Sequence, residues 1–131
     1  AFVLTITPTS SFAHHITPDE NQIKERGRLS HTNLRDRNLS GRDLSGAVLT
    51  FSDLSGANLS GTNFSGAILN NANFQNANMI DNNKTIFNRS NLSGANLSGT
   101  NPNGFEAVDL LGCPTSLPPE LICRGRQIQR R

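Results

Sequence analysis

Between residues 34 and 110, every leucine of the chain sits on a five-residue ladder. The first run reads Leu34, Leu39, Leu44, Leu49, Leu54, Leu59, Phe64, Leu69, Phe74 and Met79. A second reads Phe87, Leu92 and Leu97, and a third Phe105 and Leu110. The steps from 79 to 87 and from 97 to 105 are each 8 residues, which reads as one pentad plus a three-residue insertion. On that count there are 15 units. Two residues before the ladder residue stands something small, such as Ala47, Ser52, Ala57, Thr62 or Ala95. Between them lies Asn or Asp, and after the ladder residue Ser-Gly recurs.

A period of five suits neither common element. On an α-helix five residues advance roughly 140°, so the leucines would spiral around the whole surface. On a flat strand an odd period alternates faces, so half of them would point into water. The conflict disappears if the chain bends once per pentad, and Ser, Gly, Asn and Asp make bends cheap. Each pentad then turns one large and one small residue inward. Repeated bends of one hand give a coil, and coils stacked about 4.8 Å apart satisfy one another's backbone. Such a stack shares one narrow core along its length. That explains how 131 residues with only 34% hydrophobic and 5% aromatic content can fold at all.

Ala57-Asn58-Leu59-Ser60-Gly61 and Ala95-Asn96-Leu97-Ser98-Gly99 resemble the pentapeptide-repeat consensus, Ala-Asp/Asn-Leu-X-X. The resemblance runs over roughly residues 32–112. It implies an all-β chain, a right-handed quadrilateral β-helix with four pentads per coil and about four coils, on the order of 18 Å tall. Short helical caps are expected at both ends. Three parts follow: an N-terminal arm and capping helix over 1–31, the repeat β-helix over 32–112, and a C-terminal cap and basic tail over 113–131. Arg37 and Arg42 occupy the small inward position, where a guanidinium does not fit, so the first coil is expected to be irregular or open. Both interruptions, at 81–86 and 98–104, are expected to bulge beside the same side of the tower.

Solenoid ends expose backbone edges, so they need caps. Thr17-Pro18-Asp19-Glu20 has the pattern of a helix start, predicting a helix over 18–26 ended by Gly27. Arg37 and Arg42 either meet Asp19, Glu20 or Glu25 there or face solvent. At the far end, Ser116 with Pro118, Pro119 and Glu120 predicts a second short helix. Cys113 and Cys123 bracket it, and a disulfide between them would pin that segment over the last coil; the alternative is two unlinked thiols. The opening Ala-Phe-Val-Leu-Thr-Ile and the small-x-small triplet Ser11-Phe12-Ala13 look like the tail of an export signal. With the cysteine pair, they point to an exported compartment, periplasm or thylakoid lumen, with the cytoplasm as the alternative.

No catalytic template is present: no Gly-x-Ser-x-Gly, no phosphate-binding glycine loop, no His-Glu-x-x-His. His14, His15 and His31 lack metal-ligand spacing, so no catalytic residue, metal or cofactor is expected, and no small-molecule substrate. No run approaches the ~18 apolar residues of a membrane span, so a membrane partner is not expected either. Pentapeptide-repeat proteins that mimic DNA are strongly acidic. Residues 32–110 carry five cations against six carboxylates, a net charge of −1, which argues against mimicry of a duplex bound by a type II topoisomerase. The last 21 residues carry +3, in a tail without aromatic residues that reads as frayed and solvated rather than nucleic-acid-binding. What remains is a non-enzymatic structural or protein–protein interaction module with an unidentified protein partner. The surface near Asp81, Lys84, Arg89 and Asn103, where the rhythm breaks, is the candidate interaction site.

Overall fold

The computed structural model describes residues 29–131; the expected 18–26 helix, the Ser11-Phe12-Ala13 triplet and the carboxylates of Asp19, Glu20 and Glu25 lie outside them. Parallel bridges join residues 20 apart: Asn33 to Asp53 to Asn73, Asn38 to Asn58 to Asn78, Asp43 to Asn63, and Val48 to Ile68. One circuit of the chain is therefore four pentads, and four stacks of bridges run up the molecule. We number these sides one to four in that order.

Most bends share one backbone chemistry. The ladder carbonyl accepts a hydrogen bond from the residue three on, as in Ala47 N–H to Leu44 O (3.1 Å) and Ala57 N–H to Leu54 O (3.1 Å). The residue just before the acceptor's partner has positive φ, 73° at Gly46 and 68° at Gly56. That is a type II turn, which demands Gly or Asn there. The Asn or Asp before the ladder residue braces it: Asp43 Oδ1 accepts from Ser45 N–H (3.1 Å) and Ser45 Oγ (2.6 Å). Sequence periodicity and turn geometry thus have one cause.

Inside, the ladder residues are buried in a continuous column, and Phe64, Phe74 and Phe87 pack against one another with ring centroids 5.3–5.7 Å apart. Thr62 and Thr85, facing inward, find backbone partners, Thr62 Oγ1 at Leu39 O (2.8 Å) and Thr85 Oγ1 at Leu59 O (2.6 Å), whereas the buried Ser90 Oγ has none. The column also begins one pentad earlier than the expected ladder. Leu29 is buried and its N–H donates to Val48 O (2.6 Å), placing it beneath Leu49.

Three expectations need correction. The first coil is regular: the side-two and side-three bridges beside Arg37 and Arg42 form normally, with both side chains half-buried.

The second correction concerns register. The first insertion is real, and lies between sides two and three. The bridge spacing rises to 23 at Asn63–Ile86, and Ile80 and Asn83 close the extra turn by an antiparallel bridge. The second insertion does not exist. Strand β1 (Thr85–Ile86) pairs in parallel with β2 (Phe105–Glu106) at a spacing of 20, and Asn96 pairs with Ser116 at the same spacing. Phe105 therefore stacks over Thr85 in the small position, and Ala107 over Phe87 in the ladder position. The two sizes have exchanged places, which preserves core volume. A ladder traced by large residues alone misreads that exchange as a shift. The 98–104 segment adds no residue to the circuit; it closes with a Gly104 N–H to Asn101 O bond (2.9 Å), and a Cβ on Gly104 would collide with Met79 O.

The third correction is at the C-terminal end, where no helix forms. Ser116 is already committed to its bridge, and the chain continues into an antiparallel hairpin, β3 (Leu121–Arg124) and β4 (Gln127–Arg130). Gly125 and Arg126, with φ 60° and 64°, make the two-residue turn with both φ positive that suits the strands' twist. The basic segment is this hairpin rather than a frayed tail. Ile128 N–H donates to Ala107 O (2.9 Å), and Arg126 closes a reciprocal pair with Leu110 through its carbonyl (2.8 Å) and Nε (2.9 Å). Leu121 is buried against the core, with Leu117, Cys123 and Ile128 packed on it.

Candidate functional site

With backbone and inward side chains committed to the coil, the outward residue at the centre of each side decides what the surface offers. On side one this position holds Asn33, Asp53, Asn73 and Asn96; on side two, Asn38, Asn58 and Asn78. Side three carries Asp43, Asn63, Ile86 and Glu106. Side four differs. It presents Val48 and Ile68, then Asn91, then Leu111 beside Gly112, where the bridge spacing slips to 21.

Among the described residues, four of the five exposed large apolar side chains lie on side four and its corners: Phe51 (57% exposed), Ile68, Val108 and Leu111 (68% exposed). The fifth, Ile80, belongs to the inserted turn. Such a patch on a surface otherwise built of Asn and Ser is out of keeping with simple solvation. It also comes at a local cost. Val48 and Ile68 forgo the turn-bracing bonds that Asn38 makes to Ser40 N–H (3.2 Å) and Oγ (2.7 Å). Phe51 sits at φ 59°, a conformation bulky residues avoid, stacked on the ring of His31 at 5.1 Å. A signal for this side was present in the sequence, since the apolar intruders Val48 and Ile68 stand 20 apart, one full circuit.

The four residues singled out by the interrupted rhythm fall into two groups. Asp81 and Asn103 are linked: Asn101 Nδ2 donates to Asp81, Asn103 N–H donates to Asn101 Oδ1 (3.0 Å), and Arg130 donates to Asn103 Oδ1. This chain of bonds runs from the inserted turn to the hairpin. Lys84 and Arg89 are exposed and stand at the two ends of the third coil's side three, outside that chain.

Electrostatic features are sparse. Ser45 O–H and N–H hold the Asp43 carboxyl below the ordinary aspartate value. Arg35 and Asp53 approach to 3.7 Å on the surface, a contact of little energetic weight. Among the described residues no cluster of His, Cys, Asp or Glu has the arrangement of a metal site, and no helix is long and apolar enough to cross a membrane. Cys113 and Cys123 are joined, with an S–S distance of 2.03 Å and Cα atoms 6.0 Å apart.

The family profile for pentapeptide repeats matches this chain in 8 copies, over residues 28–66, 49–81 and 57–101. The chain belongs to the pentapeptide-repeat family. This is a non-enzymatic repeat fold, and a similar solved structure shares the β-helix. A pentapeptide repeat protein from Nostoc Pcc 7120, alr5209, is 30% identical, with 75% of this chain and 81% of that one covered and a TM-score of 0.64. One from the cyanobacterium Cyanothece 51142 is 26% identical over 82% and 70% of the two chains, with a TM-score of 0.48. One from the Arabidopsis thaliana thylakoid lumen is 25% identical over 65% and 68%, with a TM-score of 0.44. No curated protein matches. Among the described residues of this pentapeptide-repeat chain, the departures from the consensus include the side-four residues, the inserted turn at 80–83 and the disulfide-tied hairpin.

Proposed function

We propose that this pentapeptide-repeat protein is a right-handed quadrilateral tower that binds a partner protein through side four, in an exported compartment. The observation that carries the reading is the coincidence on one side of exposed apolar residues with forfeited turn stability: Val48 and Ile68 replace bracing Asn or Asp, and Phe51 takes a left-handed corner. Residues that weaken their own fold while exposing apolar area are selected for contact. One side of about four coils offers a few hundred Å² at most, short of the ~800 Å² per partner of a standard interface. A second copy docked by this side alone would be weak, which favours a partner that reaches around the corners. The disulfide supports an oxidising compartment. The Asp81, Lys84, Arg89 and Asn103 region is the secondary candidate, since it is the least regular stretch of the tower.

Affinity capture from the native compartment tests this. The Phe51→Asn/Ile68→Asn double variant is expected to lose the partner held by the wild-type tower, while Lys84→Glu/Arg89→Glu retains it. The opposite pattern transfers the site to the inserted turn, and no difference between variants and wild type removes both. The duplex-mimic alternative predicts dose-dependent inhibition of gyrase supercoiling with a clear stoichiometry. With a net charge of −1 over residues 32–110, none is expected.

A further inference from the structure

The hairpin β3–β4 is the lid of the tower, and the bond that fastens it lies beside open solvent. Cys113 is exposed and Cys123 half-buried, and both line an open depression together with Leu117, Leu121 and Arg131. An incoming thiolate has a solvent path to the Cys113 sulfur. Arg131, which also lines this depression, brings positive charge to it, which favours an attacking thiolate there.

The lid's other attachments to the last coil are modest. They include Ile128 N–H to Ala107 O, the reciprocal Leu110–Arg126 pair, the bond from Arg130 to Asn103 Oδ1, and the apolar packing of Leu117, Leu121 and Ile128 on the core. A two-stranded hairpin is marginal by itself. Cutting the crosslink restores freedom to a loop with a sequence separation of 10. We propose that the Cys113–Cys123 disulfide is a thiol-sensitive catch, and that its reduction by a dithiol releases the hairpin from the last coil while the coils below stay folded.

The chemistry balances as two exchanges. A dithiol's thiolate attacks Cys113 Sγ, the S–S bond breaks, and Cys123 leaves as a thiolate that takes a proton from water. The dithiol's second sulfur then attacks the mixed disulfide, freeing Cys113 as a thiol. The protein gains two electrons and two protons, and the dithiol becomes a disulfide. Release uncovers the Ala107 carbonyl and the Leu110 N–H, an unpaired strand edge able to template another strand.

Amide hydrogen exchange on the full chain, resolved by residue, tests the catch in oxidised protein, in protein treated with dithiothreitol and in the C113S/C123S variant. Reduction without denaturant is expected, with exchange at Leu110 and Ile128 accelerated at least about tenfold. Protection at Leu54 and Phe64, whose N–H groups donate to Asn73 O and Ile86 O in the middle coils, is expected to persist. The proposal is overturned if the bond resists the dithiol until the coils melt. It fails equally if Leu110 and Ile128 keep their protection after reduction, or if every coil loses protection together. Reduced wild-type protein supplies the same comparison should the serine variant not fold.

Discussion

Single residues carry the turn chemistry, and they are where the chain trades stability for surface. Phe51 holds a left-handed corner that Asn71 occupies one coil higher with a side chain suited to it. Left-handed backbone costs an ordinary L-residue roughly 1–2 kcal/mol. Phe51→Asn is therefore expected to raise stability by about 0.5–1 kcal/mol in urea melts, after the lost stacking on His31 is deducted. A fall in stability would mean that the stack outweighs the strain. Asp43 illustrates the opposite case, a residue that braces its turn. Its carboxyl is held low, first by the Ser45 hydroxyl and then by the Ser45 amide. The folded state therefore binds this proton less readily than the unfolded chain. Its contribution is complete above the ordinary aspartate pKa and is lost as pH falls through the lowered folded value. An NMR titration should place the Asp43 midpoint below that of an unstructured aspartate. Asp43→Asn, which keeps the accepting oxygen, should remove that part of the acid sensitivity.

At the scale of elements, the pentad was legible because its periodicity and its bend have one physical origin. What misled was the assumption that the large residue always holds the same place in it. Phe105 and Ala107 reverse the order, with Phe105 edge-on to Phe87 at 5.8 Å. The core tests only summed volume at each level, so either order folds, whereas a ladder of large residues slips by two. A double-mutant cycle makes this measurable. Phe105→Ala alone is expected to cost about 3–5 kcal/mol, and Ala107→Phe alone about 1–3 kcal/mol from overpacking. The combined exchange should recover most of the loss, giving a large favourable coupling energy. Additive losses would show that the reversed order is itself required, not merely tolerated.

The C-terminal element shows the same limit from another direction. Ser116-Leu117-Pro118-Pro119-Glu120 carries a helix-start pattern, yet Ser116 is claimed by Asn96 of the coil below. The two-residue Gly125-Arg126 turn, flanked by Leu121-Ile122-Cys123-Arg124 and Gln127-Ile128-Gln129-Arg130, was the better local signal.

For the whole molecule, the hairpin closes a stack that would otherwise end in open backbone groups. Deleting residues 118–131 removes Leu121 and Ile128 from the core and frees the Ala107–Leu110 edge. The truncated chain is expected to melt at lower temperature by several kcal/mol of lost burial, and to associate through its edge. Sedimentation velocity alongside thermal melts would detect both. A truncated chain that stays monomeric with an unchanged Tm would deny the hairpin its role as a cap.

The sequence by itself determined the coil. A five-residue period with Asn, Ser and Gly at the bends admits one kind of structure, because each bend rule acts within a single pentad. It also settled the near-neutral charge of the coils and the pairing partners available to Cys113. Tertiary structure alone decided which pentads lie over which. Stacking register depends on the whole circuit of 20, 21 or 23 residues, and a local pattern carries no record of it. The spacing of Val48 and Ile68 was legible in the sequence, but only the stacking register brought Leu111 onto the same side, above Asn91, with Phe51 and Val108 at its corners.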